Sequence, residues 1–296
     1  MTSMRRYIVS GLAGIVFVMC GCVNRQNTIV VGSKNFPEQA ILGELLAQQI
    51  EARTGIHVER RFYLSGTYIC QQALLAGRID MYVEYTGTAL TAILKENPDS
   101  DPAKVFNRVR EEYLKRFGLV VEPPLGFNDS FAIVVRRDDA QRYGIQTISE
   151  AARYAPSWRA GFGYEFMERP DGYDGLVKTY GLKFAGEPRI MDLGLLYRAL
   201  LDHQVDIVAG NTTDGQLVGS DFTVLDDDKH YFPPYQAVPI VRSEILQQHP
   251  AIASALTDLA GKISDQDMQQ MNYEVVGEHK DTAEVVRSFL HSKRLD

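Results

Sequence analysis

The chain of 296 residues has few of the features that are typical of enzymes or of nucleic-acid-binding proteins. Its six histidines are scattered, and none lies at metal-ligand spacing to another histidine or to a cysteine. Neither a Gly-x-Ser-x-Gly nor a His-Glu-x-x-His motif occurs. Acidic residues outnumber basic ones by 38 to 31, and the net charge of −7 argues against nucleic acid as a partner. These absences favour a non-enzymatic protein and predict no metal and no cofactor.

Cysteine is scarce, and two of the three cysteines lie close to the N-terminus. Two arginines precede an apolar run over residues 7–19, which is too short to span a bilayer comfortably. Small Gly21 stands directly before Cys22, as in the lipobox of bacterial lipoproteins. We therefore predict a signal peptide over residues 1–21, lipidation of Cys22 and a polar tether over 22–27. An ordinary cleaved signal peptide is the alternative.

The remaining cysteine, Cys70, lies within the apolar pattern of residues 68–75. This pattern predicts a core position rather than a reactive thiol. Because Cys22 would be acylated and Cys20 removed, no intramolecular disulfide is expected. After the leader, no other apolar run in the sequence is long enough to span a membrane.

Strand-like apolar runs alternate with helical patterns along the chain, which is typical of an α/β fold. Residues 28–31 and 79–83 predict buried strands. The pattern over 35–53 predicts a helix that is capped by Asn35 and ended by Gly55.

Two segments place polar and aromatic side chains where predicted strands meet predicted helices. The first, residues 32–39, reads Gly-Ser-Lys-Asn-Phe-Pro-Glu-Gln, and the second, 82–88, reads Tyr-Val-Glu-Tyr-Thr-Gly-Thr. Ligands of α/β proteins bind at such places, because free backbone N–H groups point there. A lysine, aromatic rings and hydroxyls together suggest a site for a small zwitterion, and nothing in the pattern requires a catalyst.

Several further motifs extend this pattern over residues 28–290. They are Leu-x-Gly-Thr at 64–67, Ala-Leu-x-x-Gly-x-Ile-Asp at 73–80, Asn-Asp-Ser-Phe at 128–131, Glu-Phe-x-x-Arg-x-Asp-Gly at 165–172, Thr-Asp-Gly at 213–215 and Phe-Pro-Pro-Tyr at 232–235. In their order and spacing, the chain resembles the substrate-binding proteins of ABC transporters for glycine betaine, choline and related osmolytes.

The resemblance implies a type II periplasmic-binding-protein fold, with two α/β lobes joined by two hinge strands and the ligand in the cleft. The first lobe would comprise residues 28–132 plus 238–296, and the second lobe would comprise 133–237. The apolar strands at 131–135 and 237–241 would be the two crossings between them.

The resemblance also assigns three residues to a carboxylate group of the ligand. Lys34 and Thr88 match the family's lysine and threonine at this group, and Arg169 falls where an arginine of the second lobe completes the clamp. Two cations in a dry cleft without an anion would be costly, which favours a ligand with a carboxylate over choline.

Five other residues correspond to the family's aromatic cage for a quaternary ammonium group. Tyr85 and Tyr235 match two cage tyrosines, and Phe131 stands where a third is usual. Asp129 matches a residue of the cage rim that often contributes through its backbone. Asn211 stands where a fourth aromatic ring often lies, so it either weakens the cage or specifies a larger or more polar betaine.

The functional prediction is an extracytoplasmic, lipid-anchored monomer that captures a betaine and delivers it to the permease of an ABC importer. Two alternatives stay open at this point. The ligand could be a larger betaine such as carnitine or ergothioneine, and the protein could be a solute-sensing lipoprotein with no role in transport.

Overall fold

The computed structural model describes residues 28–219 and 221–295. The predicted signal peptide, Cys22 and the tether lie outside these residues. Within them, no helix has both the length and the apolar character that crossing a membrane requires.

Strands and helices alternate along the described chain. The strands are β1 (Thr28–Lys34), β2 (His57–Ser65), β3 (Met81–Tyr85), β4 (Leu119–Val121), β5 (Phe131–Arg136), β6 (Ala160–Phe162), β7 (Arg189–Ile190), β8 (Ile207–Asn211), β9 (Phe222–Leu225) and β10 (Ala237–Arg242). The helices are α1 (Pro37–Thr54), α2 (Thr67–Leu75), α3 (Thr86–Thr88, continued by a π-helical turn at Ala89–Ile93), α4 (Pro102–Phe117), α5 (Arg137–Tyr143), α6 (Ile148–Ala151), α7 (Tyr164–Glu168), α8 (Tyr173–Tyr180), α9 (Leu196–Leu201), α10 (Ser243–Gln248), α11 (Pro250–Thr257), α12 (Asp265–Val276) and α13 (Thr282–Lys293).

These strands form two five-stranded mixed sheets. The first sheet has the order β2-β1-β3-β10-β4, with β1 parallel to its two neighbours and β10 antiparallel to both of its own. The second sheet has the order β7-β6-β8-β5-β9, with β6 parallel to its neighbours and β5 antiparallel to both of its own. In each sheet the antiparallel strand is therefore the one that enters after the chain has crossed from the other sheet.

The chain passes between the sheets twice, just before β5 and just before β10. These two crossings lie side by side and are hydrogen-bonded to each other. Asn128 and Gln236 form an isolated antiparallel bridge. The backbone N–H of Asp129 donates to the Tyr235 carbonyl at 3.1 Å, and the backbone N–H of Tyr235 donates to Asn128 Oδ1 at 2.6 Å. Strands β5 and β10, which were expected at the crossings, each begin directly after one of them. The paired crossings thus place Asp129 and Tyr235 at the boundary between the two sheets.

Apolar helix faces cover both faces of each sheet. In the first sheet, α1, α11, α12 and α13 pack on one face, while α2, α3 and α4 pack on the other. In the second sheet, α5 to α8 cover one face and α9 covers the other. Helix α1 is largely buried, and its fully buried apolar residues are Ile41, Leu42, Leu45, Leu46, Ala47 and Ile50. Each large side chain buried in this way stabilises the fold by about 1.5–3 kcal/mol.

Some predicted boundaries differ from the structure for local reasons. Helix α1 begins at Pro37, and Phe36 rather than Asn35 is its N-cap, without a side-chain hydrogen bond. Proline suits the first helical position because it lacks the N–H that would otherwise need a partner there. The predicted end of the helix is confirmed, since Gly55 adopts φ = 69°. Strand β1 continues to Lys34, three residues beyond the predicted end.

The buried thiol of Cys70 lies in the core on the α2 side of the first sheet, as predicted. Burial raises the pKa of this thiol to about 12. The neutral thiol is a poor nucleophile, so a structural role accounts for this residue.

Candidate functional site

A cavity of about 430 Å³ lies between the two sheets, next to the paired crossings. All eight ligand-binding residues that the family resemblance predicts line this one cavity. They are Lys34, Tyr85, Thr88, Asp129, Phe131, Arg169, Asn211 and Tyr235. The fold therefore brings together residues that lie up to about 200 positions apart in the sequence.

Lys34 reaches the cavity from the end of β1 and already has an anionic partner. Its Nζ lies 2.5 Å from Glu84 Oε1, and the two side chains are 3% and 0% exposed. The same Glu84 oxygen accepts the backbone N–H of Tyr85 at 2.8 Å, and Lys34 Nζ lies 4.5 Å from the centre of the Tyr85 ring. This arrangement fixes the lysine beside the aromatic ring.

Arg169 enters from the loop after α7 and forms a bidentate pair with Asp171. Its Nε donates to Oδ1 at 2.9 Å, and its Nη2 donates to Oδ2 at 2.5 Å. The Tyr235 hydroxyl also donates to Asp171 Oδ2, at 2.5 Å. Burial opposes ionisation of Asp171, but the charge of Arg169 and the hydrogen bonds from Arg169 and Tyr235 together outweigh it and lower the pKa of this carboxyl. Arg169 lines the cavity, and its Nη1 has no hydrogen-bond partner within residues 28–219 and 221–295, so this nitrogen can donate to a ligand.

Both cations thus have a protein anion as partner, so the argument that they need the carboxylate of a ligand loses its premise. Glu84 and Asp171 neutralise them from behind the cavity wall. The cavity lining itself also contains the carboxyl residues Asp129, Glu165, Glu168 and Asp192. A ligand carboxylate would therefore have to be recognised by the donors that remain, rather than by uncompensated positive charge.

The aromatic residues are arranged around the Arg169 guanidinium as well as around the cavity. Arg169 Cζ lies 4.9 Å from the centre of the Phe131 ring and 5.6 Å from that of Tyr235. Phe131 also packs edge-on against Phe166, with 4.8 Å between ring centres. Tyr85, Phe131 and Tyr235 therefore each have a protein cation near the ring and still line the cavity.

Asn211 and Asp129 are linked to each other at the back of the cavity. Asn211 Nδ2 donates to Asp129 Oδ2 at 2.8 Å, and the Thr213 hydroxyl lies 2.7 Å from Asp129 Oδ1. The Asp129 side chain takes part in this buried network, whereas its backbone N–H is used by the crossing. Asn211 lines the cavity, and its Oδ1 has no hydrogen-bond partner among the described residues, so this oxygen can accept from a ligand.

Three carboxyl groups that complete the site were not predicted as site residues. Glu84 holds Lys34, Asp171 holds Arg169, and Glu38 accepts the Tyr85 hydroxyl at 2.5 Å. All three belong to the motifs that carry the family resemblance, which was the available signal. The apolar part of the lining was also missed, and it consists of Phe36, Ile69, Phe166, Met191 and Leu193 together with the rings of Tyr68 and Tyr164.

One hydrogen bond joins the two sides of the cavity at its rim. The backbone N–H of Thr67, at the start of α2, donates to Glu165 Oε1 at 2.6 Å. A Cβ atom at the adjacent Gly66 would collide with the Glu165 carboxylate, which would then have to move out of this position. Glu165 thus connects the second sheet to the N-terminal end of a helix of the first.

Comparison with known proteins shows to which family the chain belongs. The family model for the substrate-binding domain of the ABC-type glycine betaine transport system matches residues 27–292. The chain is 34% identical over 290 residues to the ergothioneine transport permease/ergothioneine binding protein of Helicobacter pylori, which covers 98% of the chain and 52% of that protein. The chain therefore spans about half the length of this relative. It is also 35% identical over 267 residues to the carnitine transport binding protein of Listeria monocytogenes, covering 90% of the chain and 86% of that protein.

A solved structure gives the same result for the fold. The crystal structure of a glycine betaine/carnitine/choline ABC transporter superposes with a TM-score of 0.75 at 34% identity, covering 90% of this chain and 99% of the other. The predicted type II periplasmic-binding-protein fold is confirmed. The chain belongs to the family of substrate-binding domains of ABC-type glycine betaine transport systems.

Proposed function

We propose that this protein binds a carboxylated quaternary ammonium compound outside the cytoplasm and delivers it to the permease of an ABC importer. The observation that carries the proposal is the single cavity in which Arg169 and Thr88 lie together with the rings of Tyr85, Phe131 and Tyr235. A trimethylammonium group has no hydrogen to donate, so it must be held by ring faces, at roughly 0.5–2 kcal/mol per contact. A carboxylate at the other end of the ligand would accept from Arg169 Nη1 and the Thr88 hydroxyl.

A betaine larger than glycine betaine fits this cavity better. The cavity volume of about 430 Å³ falls within the range of roughly 300–1,000 Å³ that is usual for pockets that bind drug-sized ligands. The acceptor of Asn211 would match an N–H or O–H donor, which glycine betaine lacks. Carnitine carries a hydroxyl and ergothioneine carries a ring N–H, and the names of two relatives refer to these compounds.

We further propose that Cys22 is lipidated and anchors the protein to a membrane after residues 1–21 are removed. The anchored chain would act as a monomer, with lobes formed by residues 28–132 plus 238–296 and by 133–237. Closure of these lobes would enclose the ligand, because the residues that line the cavity come from both sheets. The alternative of a solute sensor is tested by asking whether deletion of the gene abolishes uptake of the bound compound.

Calorimetry with a ligand panel tests the proposed specificity. Protein lacking residues 1–22 would be titrated with glycine betaine, proline betaine, carnitine, ergothioneine and choline. We expect at least one carboxylated compound to bind at least tenfold tighter than choline, a difference of about 1.4 kcal/mol. Glycine betaine and choline are a matched pair, because both carry the trimethylammonium group, while glycine betaine ends in a carboxylate and choline ends in a hydroxyl group. Choline binding as tight as every betaine would refute the proposal.

Closure can be tested at the rim of the cavity. Glu165→Ala removes the carboxylate that accepts the Thr67 N–H, a charge-assisted bond that contributes about 1.5–3 kcal/mol. With the tightest panel ligand at saturation, small-angle X-ray scattering should show a larger radius of gyration for this variant than for the wild type. Glu187→Ala changes an exposed carboxylate of the second lobe and serves as control. Indistinguishable profiles for all three proteins would exclude a role for Glu165 in closure.

A further inference from the structure

A buried polar network lies directly behind the cavity, and its hydrogen atoms can be counted. The Thr213 hydroxyl lies within hydrogen-bonding distance of two carboxyl groups, Glu38 through Oε2 and Asp129 through Oδ1. These three residues are only 1%, 4% and 5% exposed, respectively. Bulk water therefore has little access to the network and does not supply hydrogen-bond donors to it.

A threonine hydroxyl carries one hydrogen and can donate to only one of the two carboxyl groups. If Glu38 and Asp129 were both ionised, Thr213 Oγ1 would face one of the two carboxylate oxygens without a hydrogen atom between them, and the contact would be repulsive. The second contact becomes a hydrogen bond only when one carboxyl group carries a proton and donates it to Thr213 Oγ1. The observed geometry thus requires one proton on this pair.

The hydrogen-bond partners and their distances favour the proton on Asp129. Both oxygens of Glu38 accept from neutral donors, Oε1 from the Tyr85 hydroxyl at 2.5 Å and Oε2 from Asn272 Nδ2 at 2.8 Å. Burial raises the pKa of Glu38, and these bonds oppose that rise by favouring the ionised form. Asp129 accepts from Asn211 Nδ2 at Oδ2 over 2.8 Å and from the backbone N–H of Thr213 at Oδ1 over a longer 3.3 Å, so its ionised form is stabilised less.

The titratable groups around Asp129 are Glu38 on α1, Asp214 in the turn after β8, Tyr85 on β3 and Tyr197 on α9. The two carboxyl groups among them act in the same direction, whereas the hydrogen bonds from Thr213 partly oppose them. Burial and the charges of Glu38 and Asp214 raise the pKa of Asp129 well above its usual value. Burial raises the pKa of Asp214 only to about 6. Asp214 is therefore mostly ionised at neutral pH and repels a second negative charge on Asp129.

We propose that Asp129 and Glu38 form a proton-binding site, with one proton held on Asp129 at neutral pH and its hydrogen bond relayed through Thr213 to Glu38. The relay starts at the crossing, passes through the turn after β8 of the second sheet and ends on α1 of the first sheet. The proton thus helps to join the two sheets beside the cavity. This inference does not depend on which ligand the cavity binds.

Infrared spectroscopy of the ligand-free wild type at about pH 7.5 tests the proposal directly. We expect the carbonyl stretch of a protonated carboxylic acid in the spectrum, and its loss in Asp129→Asn. The exposed Asp138→Asn is the matched control and should keep the band. Glu38→Gln is a second variant, because its amide N–H supplies the hydrogen that the network lacks, and the band should again be lost. Absence of the band in the wild type, or its persistence in Asp129→Asn, overturns the proposal.

Thermal unfolding gives an independent measurement. A carboxyl group whose pKa rises on folding stabilises the protein at low pH, and this stabilisation is lost as the pH rises through the folded-state pKa. The unfolding temperature of the wild type should therefore fall more steeply than that of Asp129→Asn between about pH 5 and pH 7.5, where the unfolded aspartate has lost its proton and the folded pair still holds one. Asp138→Asn should follow the wild type. Equal slopes for the wild type and Asp129→Asn would contradict a proton on this pair.

Discussion

Lys34→Met is expected to lower the free energy of unfolding by about 3–5 kcal/mol. The variant would leave Glu84 fully buried without its cation, while the Tyr82 hydroxyl and the Tyr85 backbone N–H remain as its donors. Two neutral donors stabilise a buried carboxylate less than an ammonium group at 2.5 Å does. Urea denaturation of protein lacking residues 1–22 would measure the loss.

Two further variants test whether the loss of stability in Lys34→Met comes from the unpaired buried charge of Glu84. The double variant Lys34→Met/Glu84→Gln removes both charges, and we expect it to regain most of the stability that the single variant loses. Arg198→Met breaks an ion pair with Asp202 in which the arginine side chain is 76% exposed, and it should cost less than about 1 kcal/mol. Equal losses in Lys34→Met and Arg198→Met would contradict the importance of the buried pair.

Arg169→Ala is expected to weaken binding of the tightest panel ligand at least tenfold and to destabilise the fold at the same time. Binding weakens because the variant lacks Nη1 as a charge-assisted donor to the ligand carboxylate. It also leaves the buried carboxylate of Asp171 without its cation, so an uncompensated negative charge would face the anionic end of the ligand. Calorimetry measures the first effect, and urea denaturation measures the second.

The double variant Arg169→Ala/Asp171→Asn distinguishes the two roles of the arginine. Removing both charges should restore most of the stability, because no unpaired buried ion remains. Affinity should stay well below that of the wild type, because the donor is still missing. A double variant that binds as tightly as the wild type would show that Arg169 only compensates Asp171 and does not contact the ligand.

The sequence predicts the α/β class and the strands over residues 28–31, 79–83, 131–135 and 237–241, because these apolar runs are regular and are followed by glycine or polar residues. The motif at residues 32–39 also predicts that Lys34 lies at the end of a strand. Strand β7 has two residues and β9 has four, too few for their alternation to stand out from the flanking loops. Neither was predicted for this reason.

The partners of the two cavity cations were not predicted, because they depend on three-dimensional contacts. Lys34 and Glu84 lie 50 positions apart and meet only because β1 and β3 are neighbours in the sheet. Arg169 and Asp171 are close in sequence, but a spacing of two residues gives no sign of a bidentate pair in a loop. A sequence can therefore indicate which residue types a site contains while leaving open which charges are already neutralised.

The late arrival of β10 in the first sheet has a consequence for how the chain folds. The strands of the second sheet all lie between residues 131 and 225, so that sheet can be complete before the chain reaches β10. The first sheet lacks the strand between β3 and β4 until residues 237–242 have been made. Because closing such a long loop costs entropy before any contact compensates it, we expect the N-terminal part to finish folding after the middle of the chain. During synthesis and export, the edges of β3 and β4 would then remain open to misplaced partners until β10 inserts.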